Sequence, residues 1–502
     1  MPEIILTSLN ARHLHSALGL RYLLANMGEL KEKTAIQEFT LEPWPTDIAE
    51  KLLLEHPRII GIGVYIWNIE QSQRLVALLK TISPETIIIL GGPEVSHEWQ
   101  NREIVDQADY LITGQADRAF AQLCREILSD NSPVERVIHP PLPDLSQLAS
   151  PYPLYSDDDI AHRLIYVEAS RGCPFKCEFC LSALDKSTQA FPLELFLSEM
   201  KQLLARGVRH FKFVDRTFNL NPDLSCAILD FFLERMDKAL FLHFEVIPDQ
   251  LPDRLKTRLK CFPAGSLQLE VGVQTFNPEV QQRISRKQNN LSTDENLHWL
   301  RGQTNAHIHA DLIFGLPGEG MVSIAESFNR MVALAPHEIQ LGILKRLKGT
   351  PINRHTEAYG MDYNPNAPYD ILQTSSIDFA TMQRLTRFTR YWDMIANSGR
   401  FRESLPAILA ESPFERFMQL SDWLFQTTGQ VHRIALKRLF ELLYRGMTSE
   451  LDITEKRATA LLTEDFSRCA IKGGLSFITP AISTATKGNI KKDHSNRQQR
   501  HC

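Results

Sequence analysis

The sequence lacks the features of a membrane, secreted or strongly basic protein. No stretch of its 502 residues approaches the roughly 20 apolar residues that a membrane-spanning helix needs. The start, Met-Pro-Glu-Ile-Ile-Leu, has no basic segment or cleavage site of a signal peptide, and it predicts a first strand. The net charge of −5 provides no basic field for nucleic acid. We therefore expect a cytoplasmic protein with no membrane partner, and a nucleic acid is not the expected partner.

Cysteine is also scarce, with eight residues in the chain. Four of them, Cys124, Cys226, Cys261 and Cys469, are scattered in apolar or helical contexts that are typical of free thiols. Cys502 lies in a polar C-terminal tail. This usage fits a reducing compartment better than a disulfide framework.

The three remaining cysteines form one cluster. Cys173, Cys177 and Cys180 have C-x3-C-x2-C spacing just after the apolar run 164–168, and Gly172 and Pro174 favour a loop around them. Iron–sulfur clusters normally take four cysteine ligands, so three would leave one iron open to a substrate or cofactor. A structural zinc site needs four ligands, and no fourth Cys or His follows nearby. Disulfide pairing would leave one thiol over.

With an aromatic residue before its last cysteine, the motif Cys173-x3-Cys177-x-Phe179-Cys180 resembles the cluster motif of the radical S-adenosylmethionine (radical SAM) enzymes. The resemblance implies that the three cysteines hold a [4Fe–4S] cluster whose fourth iron chelates S-adenosylmethionine, with Phe179 close to that cofactor. Reductive cleavage would give a 5′-deoxyadenosyl radical. It also implies an external one-electron reductant of the flavodoxin or ferredoxin type.

Residues 1–135 alternate apolar strands with helices, which predicts a Rossmann-like parallel sheet covered on both faces. Ligands of such sheets bind at the loops beyond the carboxyl ends of the strands. The order of these loops resembles the cobalamin-binding domain that precedes many radical SAM cores, with Gly91-Gly-Pro-Glu-Val-Ser96 similar to its Gly-Gly-x-x-x-Ser turn. The loop 113–117 stands where that family has Gly-Glu-Gly-Glu. The resemblance implies cobalamin contacts at Asn10, His13, Trp67, Asn68, Gly91, Gly92 and Gly114.

One element of that family is missing. The D-x-H-x-x-G motif, whose histidine ligates cobalt, is absent, and His13 and His15 do not have its spacing. Bound cobalamin would therefore lack this ligand. Alternatively, the domain has kept the fold and lost the cofactor.

Residues 161–348 resume the strand–helix alternation and predict a partial (β/α)6 barrel of the TIM type, with its chemistry at the carboxyl ends of the strands. Polar residues at those ends resemble the S-adenosylmethionine contacts of oxygen-independent coproporphyrinogen oxidases. By this resemblance Arg286 would hold the methionine carboxylate, and glycine at position 315 would let the backbone approach the adenine. The full expected set is Phe179, Asp215, Glu245, Gln274, Arg286, Asp311 and Gly315.

The other parts of the chain carry no predicted chemistry. Residues 136–160 are rich in proline and predict a linker. Residues 349–482 predict a mostly helical domain that resembles the domain of unknown function DUF4080, and its aromatic residues favour a helical core over a cap above a substrate. Residues 483–502 are polar and basic and predict a disordered tail.

Together these patterns predict a cytoplasmic radical SAM enzyme that uses a [4Fe–4S] cluster, S-adenosylmethionine and cobalamin, and that methylates an unactivated carbon of an unidentified substrate. Two alternatives stay open. A degenerate cobalamin domain would favour a radical cyclase, rearrangement catalyst or oxidoreductase that does not methylate. A non-enzymatic iron–sulfur redox sensor is the other, and the ordered set Glu245, Gln274, Arg286 and Asp311 argues against it.

Overall fold

The computed structural model describes residues 1–469, 473–477 and 500. The chain forms two compact units. The first contains Met1–Glu245, Lys345–Asn353 and Asn364–Asp370, and the second contains Val246–Leu344, Arg354–Tyr363 and the described residues from Ile371 onward. Except for Arg500, the tail predicted over 483–502 lies outside the described residues.

The first unit begins with a six-stranded parallel sheet in the order β2-β1-β3-β4-β5-β6. Its strands are β1 (Ile4–Asn10), β2 (Thr34–Thr40), β3 (Ile59–Gly63), β4 (Ile87–Gly91), β5 (Tyr110–Ile112) and β6 (Val137–Ile138). Its helices are α1 (Leu18–Ala25), α2 (Pro45–Leu53), α3 (Ile69–Ile82), α4 (Glu103–Gln107) and α5 (Ala119–Leu128).

Neighbouring residues of the central strands supply two separate cores. Ile60 and Ile88 belong to a core that includes Leu79 of α3, whereas Ile59 and Ile89 belong to a core on the other face. Because side chains alternate between the faces of a strand, a continuous run of isoleucine buries both faces at once. This confirms the parallel α/β sheet expected from the sequence.

The proline-rich segment 136–160 is packed against the first unit rather than running free. Val137–Ile138 form β6, which pairs with β5 at the edge of the sheet. Tyr152 and Tyr155 are buried, and Ser156 caps α6 (Asp157–His162) through a capping box. Proline content alone gave no sign of these contacts.

The rest of the first unit contains the cysteine loop and three strands of the predicted barrel. The parallel strands β7 (Ile165–Val167), β10 (His210–Phe213) and β11 (Phe241–Val246) run in the order β7-β10-β11. The short antiparallel pair β8 (Ser170–Arg171) and β9 (Gln189–Ala190) borders the cysteine loop. Two helices complete the unit, α7 (Leu193–Ala205) and α8 (Pro222–Leu233).

The second unit holds the other three barrel strands, β12 (Leu267–Gln274), β13 (His307–Phe314) and β14 (Glu338–Ile343), which are parallel and in that order. The helices among them are α9 (Asp253–Leu259), α10 (Pro278–Arg283), α11 (Asn290–Gln303) and α12 (Met321–Leu334). A short antiparallel pair follows, β15 (Asp362–Tyr363) and β16 (Ile371–Gln373).

The last part of the second unit is helical. It contains α13 (Phe379–Ile395), α14 (Ser404–Leu409), α15 (Pro413–Thr428), α16 (Leu436–Ser449) and α17 (Glu455–Ser467). Phe388 and Trp392 of α13 pack edge-on against Phe417 of α15, at centroid distances of 5.0 Å each, and all three are buried. These aromatic side chains form a helical core. Among the described residues, no helix is long and apolar enough to cross a membrane.

Candidate cofactor sites

A large cavity lies at the carboxyl ends of β1, β3, β4 and β5 in the first unit. Its volume is about 1090 Å3, beyond the roughly 300–1,000 Å3 of a typical small-ligand pocket. One part of its wall comes from the loops after these strands. Another comes from the cysteine loop, through Leu181, Asp185 and Ser187. A ligand in this cavity would therefore touch both the sheet and the loop that carries the cysteines.

Glycine shapes the sheet side of this cavity. Gly92 has a φ of +106°, and a Cβ there would lie 2.4 Å from the carbonyl oxygen of Val64, so a side chain cannot be accommodated. Ser96 joins two of the loops, because its Oγ donates to the Gly92 carbonyl (2.8 Å) and accepts from the Gly114 N–H (3.0 Å). In the Gly-Gly-x-x-x-Ser pattern, the glycines therefore leave this side of the cavity without side chains, and the serine holds the two loops in place. Such a surface can accommodate a flat ligand.

The structure brings most of the predicted cobalamin contacts to this cavity. Those that line it are Asn10, Trp67, Gly91, Gly92 and Gly114. Trp67 stacks on Tyr65 at a centroid distance of 4.5 Å. The cavity therefore has the size and the glycine-lined surface that a bulky, flat cofactor requires.

Two of the predicted contacts are placed differently. His13 is exposed and does not line the cavity, so its contact with cobalamin stays a prediction. Asn68 is fully buried, and its side chain is used by the backbone: its Oδ1 accepts from the Tyr65 N–H (2.8 Å), and its Nδ2 donates to the carbonyls of Leu9 and Gly63 (both 3.1 Å). Asn68 thus supports the loop, and its contact with cobalamin stays a prediction.

His15 lines the cavity instead of His13. Its Nδ1 lies 2.7 Å from the Tyr166 hydroxyl. Burial lowers the pKa of His15, as do the positive charges of Lys212 and Arg12, so the neutral imidazole is favoured. The sequence contains no spacing pattern that would have selected this histidine.

The cysteine loop is closed by its own backbone. Gly172 has a φ of +87°, and a Cβ there would lie 1.7 Å from the Ser187 carbonyl oxygen, so only glycine fits. The next N–H, that of Cys173, donates to the Asp185 carbonyl (2.9 Å). The two ends of the loop are thus held together around the cysteines.

The three predicted cluster ligands are buried or half-buried free thiols of the cysteine loop. Cys173 and Cys177 are buried and Cys180 is half-buried, and none forms a disulfide. Burial raises the pKa of Cys173, and the nearby Cys180 and Cys177 raise it further. Among the described residues, no three Cys, His, Asp or Glu side chains are arranged for a single metal ion. Three cysteines in one loop are the ligand set that the sequence predicts for a [4Fe–4S] cluster.

Asp215, predicted to contact S-adenosylmethionine, lies beneath the cysteine loop. Its two carboxylate oxygens accept from the Ala169 N–H (3.0 Å) and the Ser170 hydroxyl (2.6 Å). Burial raises its pKa to about 7. The contacts of Asp215 therefore fix the segment that leads into the loop, and a contact with the cofactor remains a prediction.

Three other predicted S-adenosylmethionine contacts meet around Gly272 in the second unit. Arg286 donates to the Gly272 carbonyl, and the Gln274 side chain lies over Gly272, where its Nε2 would be 2.7 Å from an added Cβ. Asp311 is the neighbour of Gly272 on β13. Gln274 has a φ of +72°, beside a bulge in β12. Such strained, non-glycine backbone is common at functional sites.

The remaining three predicted contacts are less informative. Phe179 is half-buried in the cysteine loop. Glu245, in the first unit, accepts from Arg216 Nη1 (2.8 Å). Gly315 has a φ of +88°, and a Cβ there would lie 2.5 Å from Ile371 Cγ2. Close packing against Ile371 is thus enough to explain glycine at this position, and an approach to adenine stays a prediction.

Glu319 is a buried acid that the sequence did not single out as a site residue. Its Oε1 accepts from the hydroxyls of Thr275 (2.7 Å) and Ser323 (2.9 Å), at the loop that follows β12. Burial raises the pKa of Glu319 to about 7, against an ordinary 4.5. The folded protein therefore keeps this proton at pH values where the unfolded chain has lost it.

We expect Glu319→Gln to change how stability depends on pH. Between pH 4.5 and 7 the wild-type folded state binds more protons than the unfolded state, so its free energy of unfolding falls as the pH rises. Over this pH range the wild type loses about 3 kcal/mol of its free energy of unfolding. Glutamine has no proton to lose, so the variant lacks this pH dependence. We therefore expect the unfolding temperature of the variant, relative to that of the wild type, to be higher at pH 8 than at pH 5. Glu326→Gln, exposed on α12, is the matched control; an equal pH response in both variants would contradict the assignment.

Family models match three successive parts of the chain. The B12 binding domain matches residues 6–124, the radical SAM superfamily residues 167–331, and the protein family of unknown function DUF4080 residues 357–501. The chain therefore carries a B12-binding domain followed by a radical SAM domain, in the order predicted from the sequence. The cofactors predicted from the sequence are confirmed at the level of domains: cobalamin for the first, a [4Fe–4S] cluster with S-adenosylmethionine for the second.

Two curated relatives of this chain are methyltransferases. The cobalamin-dependent radical SAM methyltransferase TokK of Streptomyces tokunonensis is 25% identical over 351 residues, covering 62% of this chain and 51% of TokK. The 2-(S-pantetheinyl)-carbapenam-3-carboxylate methyltransferase of Streptantibioticus cattleyicolor is 24% identical over 356 residues, covering 62% and 51%. The chain thus spans about half the length of these relatives.

Solved structures confirm the fold. The cobalamin-dependent S-adenosylmethionine radical enzyme OxsB aligns with a TM-score of 0.62 at 13% identity, covering 93% of this chain and 83% of OxsB. TsrM from Kitasatospora setae aligns with a TM-score of 0.57 at 15% identity, covering 73% and 79%. At these identities the likeness concerns the fold alone.

Proposed function

We propose that this protein is an enzyme that methylates an unactivated carbon atom of its substrate. One observation carries the proposal: the loops of the B12-binding sheet and the cysteine loop line the same cavity. Two cofactors that must exchange a group need adjoining sites, because reacting atoms have to come within contact distance. A shared cavity meets that requirement without a large domain movement.

We propose roles for the three clustered cysteines and for Arg286. Cys173, Cys177 and Cys180 would hold the cluster, and Arg286 would pair with the methionine carboxylate of S-adenosylmethionine through charge-assisted hydrogen bonds. When bound, the cofactors supply the substrate radical, through reductive cleavage of S-adenosylmethionine, and the methyl group, through cobalamin. The apolar cavity walls would keep water away from these reactive groups.

The reaction also needs an electron from outside. Radical SAM enzymes take it from an external reductant, and we propose a flavodoxin- or ferredoxin-type protein as that partner. We name no particular substrate. The bound cofactors would supply the radical chemistry that activates one of its carbon–hydrogen bonds.

The test is made on full-length protein purified and reconstituted without oxygen. Iron and sulfide analysis gives the cluster content, and desalting after incubation with hydroxocobalamin gives the bound corrin. The loaded protein is then incubated with S-adenosylmethionine and dithionite. Formation of both 5′-deoxyadenosine and S-adenosylhomocysteine would support methyl transfer. A protein that forms neither product would contradict the proposal.

The non-methylating alternative is favoured by the absent D-x-H-x-x-G motif and by the exposed position of His13. In that case the B12-binding domain would be a scaffold for a cyclase, rearrangement catalyst or oxidoreductase. The same assay separates the two functions: 5′-deoxyadenosine without S-adenosylhomocysteine, and no retained corrin, would favour the alternative.

A further inference from the structure

Arg171 is a partly buried arginine at the entrance of the cysteine loop, two residues before Cys173. Its side chain is 12% exposed. The Nε donates to Glu168 Oε1 (2.9 Å), and the two terminal nitrogens donate to the two oxygens of Asp117 (3.0 Å each). This is a two-point guanidinium–carboxylate pair, which fixes both distance and orientation.

Aromatic rings enclose this pair. The guanidinium carbon of Arg171 lies 4.6 Å from the ring centroid of Tyr22 and 5.6 Å from that of Phe191. Cation–π contact and exclusion of water both strengthen the attraction between the charges. A pair held in this way has one arrangement rather than many.

Gln115 extends the contact to the other end of the loop. Its Oε1 accepts from Arg171 Nη1 (2.9 Å), and its Nε2 donates to Asp185 Oδ2 (3.0 Å). Asp185 in turn accepts the Cys173 N–H at its carbonyl oxygen (2.9 Å). The loop after β5, through Gln115 and Asp117, therefore holds both ends of the segment that carries Cys173.

The same loop faces the cavity. Gly114, Gln115 and Asp117 all line it, and so does Arg171. A ligand that fixes this loop also fixes the partners of Arg171, and a cluster that fixes the cysteine loop fixes Arg171 itself. Each ligand would then bias the same set of hydrogen bonds, which is the condition for the two sites to be coupled.

We propose that Arg171, held by Asp117 and Gln115, is a positioning residue that couples the two cofactor sites, so that cluster loading and cobalamin binding strengthen each other. This inference rests on the proposed function for its two ligands. Linkage requires the coupling to be equal in both directions.

The experiment measures the Kd of hydroxocobalamin for the full-length protein twice, once with the cluster reconstituted and once after iron chelation. We expect the cluster to tighten cobalamin binding in the wild type by roughly tenfold, within the usual range for coupled sites. In Asp117→Asn and Gln115→Met the ratio of the two Kd values should fall towards one. Because the ratio is compared, a direct effect of either substitution on the cavity cancels.

Controls separate coupling from general damage. Asp109→Asn removes a partly buried carboxylate that pairs with Lys80 (3.0 Å) and accepts from the Ile88 N–H (2.7 Å) elsewhere on the same sheet, and it should keep the wild-type ratio. Asp117→Glu, which restores the charge, should recover part of it. A wild-type ratio near one, or an unchanged ratio in both variants, would overturn the coupling and leave the proposed function intact. A wild type that binds no cobalamin would overturn both.

Discussion

Cys177→Ala is expected to leave the protein without an iron–sulfur cluster and without S-adenosylmethionine cleavage. Cys177 is buried within the cysteine loop, and only two other cysteines accompany it there. A cluster that is held by only three cysteine thiolates is no longer stably bound when one of them is removed. Loss of a supporting contact to a metal ligand typically costs 10- to 100-fold, and loss of the ligand itself should cost more. We expect iron content near zero and no measurable 5′-deoxyadenosine.

The matched control for this prediction is Cys261→Ala, which removes an exposed cysteine far along the chain from the loop. It should keep the wild-type iron content and visible absorbance. A Cys177→Ala protein that still forms 5′-deoxyadenosine would exclude Cys177 as a ligand. Metal analysis that found zinc rather than iron in the wild type would instead favour the zinc site left open by the sequence.

The cluster ligands were accessible from the sequence because their signal is local. Cys173, Cys177 and Cys180 lie within eight positions of one another, so their spacing alone restricts what they can bind. The parallel sheets were predictable for a similar reason, since runs such as Ile59–Gly63 bury both strand faces. By contrast, β2 has only a weak sequence pattern, because six of its seven residues are only partly buried.

The individual loop contacts were less predictable. A loop has no repeating side-chain direction, so the sequence did not reveal that His15 lines the cavity while His13 is exposed. Asn68 illustrates a second difficulty, because a sequence does not show which backbone groups will lie near a side chain. Its amide donates to two backbone carbonyls that approach it only in the folded loop. Arg171 and Asp117 are separated by 54 positions, and a single sequence carries no sign of such a pair.

Gly19→Leu should block the cavity of the B12-binding domain while stabilising the helix that carries it. Gly19 lies in the first turn of α1, is exposed, and lines the cavity. A Cβ there would lie 3.6 Å from the Tyr65 hydroxyl, an ordinary contact, so the longer leucine chain would extend beside Tyr65. Leucine in place of glycine favours a helix by up to about 1 kcal/mol. Extra methylenes in a well-fitted site cost about 1–3 kcal/mol, or roughly 5- to 150-fold in the Kd of hydroxocobalamin.

Gly302→Leu makes the same substitution at a position that does not line this cavity. Gly302 is exposed near the end of α11, and an added Cβ meets no atom within 4 Å. Both variants should therefore unfold at or above the wild-type temperature, and cobalamin binding should fall in Gly19→Leu alone. Cluster content serves as a second readout, because iron loading near the wild-type level in Gly19→Leu would show that the cysteine loop is undamaged. Undiminished cobalamin binding by a folded Gly19→Leu protein would mean that the corrin binds outside this cavity. The argument for a space shared by the two cofactors would then fail, even though each cofactor could still bind.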